Sequence, residues 1–170
     1  MTLIEGPGAS TEWETPPEFF RRLDNIYHFE LDAAASYDNA KCGRYYTKAE
    51  DGLIKPWARS TWLNPPYGSG IPNWLSKAYD EWLMGNQSVI LLPARTDTVW
   101  WHQYAMLANN IIFIRGRIRF LEDGVAMPNP KFPSVLVIYG YLQPWGKVRG
   151  PVITSMSASA FDPLGGHQDC

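Results

Sequence analysis

Three apolar runs constrain the fold of this chain more than any other feature. They occupy residues 88–92, 110–114 and 134–139, and uninterrupted runs of this kind are typical of strands covered on both faces. Between the strand candidates lie amphipathic segments, of which the clearest spans residues 71–82 and repeats its apolar side chains at helical spacing. Strands that alternate with helices predict an α/β domain with a largely parallel sheet.

Shorter elements are predicted around this framework. A helix should begin at Thr15, with Thr15 as its N-cap and Glu18 completing a capping box. Its buried face would consist of Phe19, Phe20, Leu23 and Ile26. Short strands are expected at residues 29–31, 44–47 and 61–63. A further helix is indicated by Trp101, Tyr104, Ala105 and Ala108, with Thr96 or Asp97 as its cap.

Length and composition limit the class of protein. With 170 residues, 45% of them hydrophobic, the chain suits one domain with a real core. The net charge of −2 lacks the positive excess of most DNA-binding proteins, so any nucleic-acid contact needs a local basic patch. Cys42 and Cys170 lack metal-ligand spacing and are expected to be free thiols. Neither a membrane-length apolar stretch nor a signal peptide is evident, which predicts a cytoplasmic location.

The chain divides into three predicted parts. Residues 1–12 would form a flexible lead and residues 13–141 the main domain. Residues 142–170 would form a C-terminal extension that is largely flexible, because it is poor in core residues. Within the main domain, residues 115–133 form a basic insertion rich in Gly and Pro.

One loop carries a recognisable chemistry, and it follows a predicted strand, whose carboxyl end is where ligands bind in open α/β sheets. The Asn64 side-chain oxygen and the Pro65 carbonyl are two acceptors that prolines hold rigid. If these two acceptors received hydrogen bonds from both N–H bonds of a planar amine, they would draw the nitrogen lone pair out of conjugation. With Pro66 fixing the backbone and the Tyr67 ring offering stacking of ~1–3 kcal/mol, these four residues are the candidate catalytic loop. A plain Asn-Pro turn is the structural alternative.

Five further segments accompany this loop, at residues 13–16, 31–36, 51–53, 92–98 and 115–120. Together and in this order, they resemble the phage-type DNA N6-adenine methyltransferases. The resemblance implies a compact, Rossmann-like, S-adenosylmethionine-dependent methyltransferase fold. It also implies S-adenosylmethionine as methyl donor, S-adenosylhomocysteine as product, no metal, and an adenine of double-stranded DNA as acceptor.

The cofactor side departs from the wider methyltransferase pattern. No glycine-rich loop follows the first strand, where Asp32 is followed by three alanines. Only roughly thirty residues separate Asp32 from Asn64, about one strand-helix-strand unit. We therefore expect a shortened cofactor-side edge with missing or shrunken helices.

The resemblance also assigns cofactor contacts. The residues it places near the cofactor are Trp13, Thr15, Pro16, Asp32, Ala33, Ala34, Asp51 and Leu53. Asp32 would accept hydrogen bonds from the donor's amino-acid end or its ribose, although a helix cap is an alternative role for it. Asp51 and Leu53 would border the cofactor's adenine, and a simple turn at Asp51 and Gly52 is nearly as good an explanation.

Basic side chains indicate where DNA would be contacted. Arg115, Arg117 and Arg119 alternate, so on a strand they would share one face. Arg95 and Lys131 lie nearby in the predicted topology, and Arg suits phosphate or guanine contacts. Residues 115–133 are thus the candidate DNA-recognition insertion, unless they are merely a solvated charged strand. The protein would act as a monomer or a homodimer.

Two other functions remain open. The same catalytic loop suits cytosine N4, an RNA adenine or a protein glutamine, because all present a planar amine or amide. The chain could instead be a non-catalytic binding module, a methyltransferase relic, as its shortened cofactor half and negative charge suggest. Whether methylation would protect DNA, regulate it or defeat host restriction is equally open.

Overall fold

A six-stranded sheet organises the residues that the computed structural model describes, which are 13–128, 130–140 and 151–159. Its strands are β1 (Leu31–Asp32), β2 (Ser60–Leu63), β3 (Gln87–Pro93), β4 (Asn110–Arg115), β7 (Ser134–Tyr139) and β8 (Val152–Ser157). A separate hairpin pairs β5 (Leu121–Glu122) with β6 (Val125–Ala126). The order in the main sheet is β1-β2-β3-β7-β4-β8, and only β7 runs antiparallel to its neighbours. The predicted α/β domain with a mostly parallel sheet is confirmed.

The strand directions bring several loops to one edge of the sheet. Because β1, β2, β3 and β4 are parallel, Asp32, Asn64, Arg95 and Arg115 all lie at or just beyond their carboxyl ends. We call this the carboxyl edge. The antiparallel β7 begins there, with Ser134 opposite Pro93. The segment between β4 and β7 therefore leaves and rejoins the sheet at the carboxyl edge.

In the described residues, three α-helices accompany the sheet: α1 (Pro17–Tyr27), α2 (Ile71–Leu83) and α3 (Val99–Gln103), the last followed by a 3-10 turn at Ala105–Leu107. Helix α2 packs against β3 and β7, whose residues are almost wholly buried. Phe20 of α1 contacts Trp62 of β2 with ring centroids 5.6 Å apart. No helix in the described part of the chain is long and apolar enough to cross a membrane.

The start of α1 differs from the prediction. Its N-cap is Pro16, which makes no side-chain cap hydrogen bond, and Thr15 Oγ1 has no partner among the described residues. The expected capping box is therefore wrong, because the helix begins too late for the Thr15 hydroxyl to reach its free N–H groups. Ile26 is also exposed, and Tyr27 takes its place on the buried face.

Three other elements need correction. Residues 44–47 form no strand, only an isolated bridge between Tyr45 and Asp32. Helix α3 is capped at Thr98 rather than at Thr96 or Asp97, and it lacks a side-chain cap bond. Within the C-terminal extension predicted to be largely flexible, residues 152–157 form β8, paired in parallel with β4. The predicted flexible lead 1–12 and the end of that extension, with Cys170, lie outside the described residues.

The segment from residue 33 to residue 59, which joins β1 to β2, contains turns and bends but no helix. The absence of a helix from this connection agrees with the expectation of missing or shrunken helices on this edge. It leaves the carboxyl end of β1 beside an open space rather than beneath a helix.

Candidate functional site

A cavity of about 540 Å³ opens at the carboxyl edge beside β1 and β2. Its walls come from residues 13–15, from the end of β1 and the helix-free segment after it, and from the Asn-Pro-Pro loop that follows β2. Trp62 and Trp74 contribute aromatic surface. The volume lies in the range of about 300–1,000 Å³ typical of sites for small organic ligands.

Asn64 stands in the cavity wall at the tip of β2, with Pro65 and Pro66 directly after it. Its Nδ2 donates a hydrogen bond to the backbone carbonyl of Trp13. Its Oδ1 is buried and has no hydrogen-bond partner in the described part of the chain. The amide is therefore anchored by its nitrogen and keeps an unused acceptor at its oxygen.

Asp32 is the buried carboxylate of the site, with 3% of its surface exposed. It accepts hydrogen bonds from the backbone N–H groups of Lys41 at 3.0 Å and Ala34 at 3.4 Å. Burial raises the pKa of Asp32 to about 6, against the opposing effect of these two hydrogen bonds. Residues 33–59, all of them described, form no helix after Asp32, so the alternative role as a helix cap is wrong.

The remaining wall is held by backbone contacts around Asp32. Asp32 N–H donates to the Arg44 carbonyl at 3.0 Å, and Tyr46 N–H donates to the Asp32 carbonyl at 2.9 Å. At Gly52, an added Cβ would lie 2.1 Å from the Ala33 carbonyl oxygen, so a larger residue would displace the wall.

The turn that contains Gly52 is tied to helix α2. Trp57 Nε1 donates to the Gly52 carbonyl at 2.8 Å, and Trp57 N–H donates to Glu81 Oε1 at 3.1 Å. Glu81 is almost wholly buried and also accepts from Lys77 Nζ at 2.6 Å. The hydrogen bonds to Glu81 from Lys77, Asn86 and Trp57 lower its pKa, although burial opposes them. The cavity wall is thus fixed before any ligand arrives.

Most of the predicted cofactor residues line this cavity. They are Trp13, Thr15, Asp32, Ala33, Ala34 and Asp51. Pro16 and Leu53 lie outside its lining. Asp51 Oδ1 accepts a hydrogen bond from Leu53 N–H at 3.0 Å, and Asp51 has φ of 56°, so the proposed turn exists and also borders the cavity.

Tyr67 does not offer the open ring face that the sequence suggested. Its side chain is buried, its ring packs edge-on against Phe120 and Phe132, and its hydroxyl donates to the Leu91 carbonyl at 3.4 Å. Burial raises the pKa of Tyr67 well above its usual range. Stacking of a base on this ring requires the side chains that cover it to move.

The predicted DNA-contacting residues are all exposed and lie outside the cavity lining; they are Arg95, Arg115, Arg117, Arg119 and Lys131. The three alternating arginines do not share one strand, because β4 ends at Arg115 and Gly116 turns the chain with φ of 86°. Exposure still alternates beyond the turn, since Ile118 and Phe120 are buried beneath Arg117 and Arg119.

Several cavity residues were missed from the sequence, among them Glu14, Lys41, Tyr46, Gly52, Trp62 and Trp74. Gly52 carried a usable signal, because Asp-Gly marks a turn whose backbone can approach another segment closely. The other missed residues carry no local sequence signal, because they come together at the cavity only in the folded chain. Within the described residues, no group of three or more His, Cys, Asp or Glu side chains could hold a metal ion.

Comparison with known proteins identifies the family. Residues 8–160 match the sequence model of the family described as DNA N-6-adenine-methyltransferase (Dam). This chain belongs to that family. The resemblance inferred from the motifs is thereby confirmed.

Named relatives agree with this assignment. A DNA N-6-adenine-methyltransferase of Escherichia phage T1 is 35% identical over 115 residues, which cover 66% of this chain and 48% of the relative. The chain thus spans about half the length of that relative. A DNA N-6-adenine-methyltransferase of Haemophilus phage HP1 is 27% identical over 149 residues, covering 84% of this chain and 86% of the relative. A putative methyltransferase of Escherichia coli K12, YfdM, is 33% identical over 64 residues, covering 33% of this chain and 70% of that protein.

Proposed function

We propose that this chain transfers a methyl group from S-adenosylmethionine to the exocyclic N6 amine of an adenine in double-stranded DNA. The observation that carries the proposal is the Asn64 amide, which is anchored by its nitrogen and whose oxygen has no partner among the described residues, in the wall of a cavity large enough for a methyl donor. Family membership and the names of the two phage relatives, both DNA N-6-adenine-methyltransferases, support adenine in DNA as the acceptor.

The catalytic loop would act by accepting two hydrogen bonds. Asn64 Oδ1 and the Pro65 carbonyl would each accept one N–H of the adenine amine, which turns the nitrogen lone pair out of conjugation with the ring. Pro66 restrains the backbone, so the two acceptors need little reorganisation. A flipped base would stack on Tyr67 once the rings that cover it have moved.

The residues around the cavity fit S-adenosylmethionine. Thr15 Oγ1 is buried without a partner among the described residues, and Asp32 is a buried carboxylate that accepts hydrogen bonds from the backbone N–H groups of Ala34 and Lys41. Such groups suit the ammonium and hydroxyl groups of a nucleoside-amino acid conjugate. Asp32 and Thr15 would hold the polar ends, while Trp13, Ala33 and Ala34 would contact the apolar parts. When bound, the cofactor supplies a methyl carbon bonded to a positively charged sulfur.

The finer architecture is part of the same proposal. The parallel strands with a ligand cavity at their carboxyl ends support a compact Rossmann-like arrangement. The helix-free connection between β1 and β2 supports a shortened cofactor-side edge. Arg95, Arg115, Arg117, Arg119 and Lys131 would contact DNA phosphates or base edges, and residues 115–133 would be the recognition insertion.

The proposal is tested by methyl transfer from labelled S-adenosylmethionine to duplex DNA, followed by nucleoside analysis. Wild-type protein should produce N6-methyladenine. Asn64→Ala should lower kcat by about 10²–10³, the usual cost of one preorganised polar contact, while circular dichroism remains unchanged. Asn73→Ala, a matched change at an exposed asparagine of α2, should leave turnover intact.

Two other results of these measurements would point to a different function. N4-methylcytosine, or label in RNA or in a protein glutamine, would change the acceptor but keep the loop's chemistry. A calorimetric titration that shows no cofactor binding, together with no transfer to DNA, would identify a non-catalytic binding module.

A further inference from the structure

Trp13 contacts the candidate catalytic loop through its backbone as well as lining the cavity. Its carbonyl oxygen accepts the hydrogen bond from Asn64 Nδ2. A carbonyl oxygen can accept but never donate, so this contact suits only one of the two orientations of the Asn64 amide. The amino group must face Trp13, and Oδ1 must face away from it.

The chain next to Trp13 is clamped by the hairpin β5–β6. Glu14 N–H donates to the Leu121 carbonyl at 3.0 Å, and Leu121 N–H donates to the Glu14 carbonyl at 3.0 Å. Glu14 Oε1 also accepts from Asp123 N–H at 3.1 Å. These three hydrogen bonds fix the position of the backbone that carries the Trp13 carbonyl.

The Trp13 ring is held by the same part of the molecule. It packs edge-on against Phe120 at 5.5 Å and against Phe132 at 5.3 Å between ring centroids. Both phenylalanines belong to the arginine-bearing segment 115–133. Backbone and ring contacts therefore tie Trp13 and its neighbour Glu14 to that segment.

We propose that Trp13 is a positioning residue for methyl transfer: its carbonyl orients the Asn64 amide with Oδ1 free for the acceptor amine, and segment 115–133 holds that carbonyl in place. This inference rests on the proposed function, because it concerns the geometry of the same amide. It extends that function by giving the arginine-bearing segment a second role besides DNA contact.

The proposal explains why an amide, rather than a carboxylate, stands at position 64. A carboxylate has the same acceptor for the base but no donor for the Trp13 carbonyl. Its second oxygen would instead lie against that carbonyl, and the repulsion would turn the group away. A protonated carboxyl group would regain a donor and restore the contact.

The test is the pH dependence of Asn64→Asp relative to wild type, measured as kcat at saturating cofactor and duplex DNA. At about pH 9 the variant should be about 10²-fold slower, as for the loss of one preorganised contact. As the pH falls from about 7 to about 5, the ratio of variant to wild type should rise by about fivefold to tenfold, because a carboxyl group with an ordinary pKa of about 3.9 is then protonated in about one molecule in ten. Asn64→Ala, which cannot be protonated, should give a low ratio that does not change with pH.

A ratio that stays flat for Asn64→Asp, or a variant as fast as wild type at about pH 9, would overturn the role of the Trp13 carbonyl. An inactive wild-type protein would instead overturn the proposed function itself. The two failures are therefore distinguishable in one experiment.

A second variant tests the support from segment 115–133. Phe132→Leu should lower kcat at saturating S-adenosylmethionine by about fivefold, about 1 kcal/mol of lost positioning. Phe113→Leu is the matched control, because its ring stacks on Trp101 away from the cavity. In an Asn64→Ala background, Phe132→Leu should have no further effect, since the amide it positions is gone. An equal loss in both backgrounds would mean that Phe132 acts through Tyr67, and the inference would be wrong.

Discussion

The cavity wall and the arginine-bearing segment 115–133 lie at the same carboxyl edge, but they are built in opposite ways. Around Asp32 the polar groups are buried, and turns that are tied to each other and to α2 hold them in place. In segment 115–133 the charged side chains are exposed, and the buried residues beneath them are apolar, as at Ile118 and Phe120.

This difference separates two kinds of recognition. A preformed cavity with buried polar groups favours a small ligand whose own polar groups complete the hydrogen bonds. Exposed arginines favour binding of a polyanion, because neutralising its phosphates releases the counterions condensed on it. The cavity side is therefore expected to determine donor affinity, and the arginine side DNA affinity, with Trp13 as the physical link between them.

Among the changes that test this difference between the two regions, the largest effect is expected from removing positive charge from segment 115–133. The double variant Arg117→Ala with Arg119→Ala should weaken duplex DNA binding by about tenfold to hundredfold at low salt and reduce the salt slope by about two. Donor affinity should not change, because neither side chain lines the cavity. DNA binding measured by fluorescence anisotropy at several salt concentrations checks both quantities.

Arg59→Ala is the control for that variant, because Arg59 is exposed but precedes β2 and so lies at the opposite edge of the sheet. It should leave the salt slope unchanged. An equal slope for all three proteins would mean that Arg117 and Arg119 are merely solvated charges, and the comparison between the two regions would fail.

The next effect concerns the proton on Asp32. Because burial raises its pKa to about 6, the cavity holds a carboxylate at neutral pH and a neutral acid below that value. Affinity for a positively charged donor should fall by up to about tenfold per pH unit below about 6, and Asp32→Asn should be weak and independent of pH. Calorimetric titration of S-adenosylmethionine between about pH 5 and about pH 8 measures this. Wild-type affinity that does not change over this range would exclude Asp32 from donor binding.

The same proton has a stability consequence with a defined sign. The folded-state pKa of Asp32 lies above its ordinary value of 3.8, so the folded protein binds this proton more tightly than the unfolded chain does. The contribution of Asp32 to the unfolding free energy therefore decreases as pH rises from about 4 to about 6. Asp32→Asn should remove that decrease, which unfolding in urea at several pH values would show.

The sequence predicted the elements whose signals are local. Strands β3, β4 and β7 follow from their apolar runs, and α2 follows from its helical spacing. Strand β8 could not be predicted from the sequence. It is an edge strand whose first four residues are exposed, so it has no apolar pattern. The hairpin β5–β6 had a signal that was overlooked, since Asp123 and Gly124 both take positive φ in an Asp-Gly turn.

The candidate site also contains residues with a local sequence signal and residues without one. The Asn64 loop was visible because its acceptors and prolines are consecutive in the chain. The Trp13 contact with Asn64 was not, because it joins residues 51 positions apart and depends on how the hairpin holds Glu14. The Thr15 hydroxyl was assigned to a helix cap because local spacing cannot show that α1 begins after Pro16.

The smallest expected effect comes from replacing Thr15, and it concerns the loss of unfolding free energy caused by a buried polar group without a partner in the described residues. Thr15 Oγ1 is buried with no partner among the described residues, and a valine would have nearly the same shape without the unmet polar group. Thr15→Val should raise the unfolding free energy by about 1 kcal/mol or leave it unchanged, while donor affinity falls about fivefold, because the ligand loses one hydrogen bond. The exposed Thr96→Val should change neither quantity. If Thr15→Val instead lost stability and kept full donor affinity, Thr15 would serve packing alone, and the buried polar groups of the cavity could no longer be attributed to ligand binding as a set.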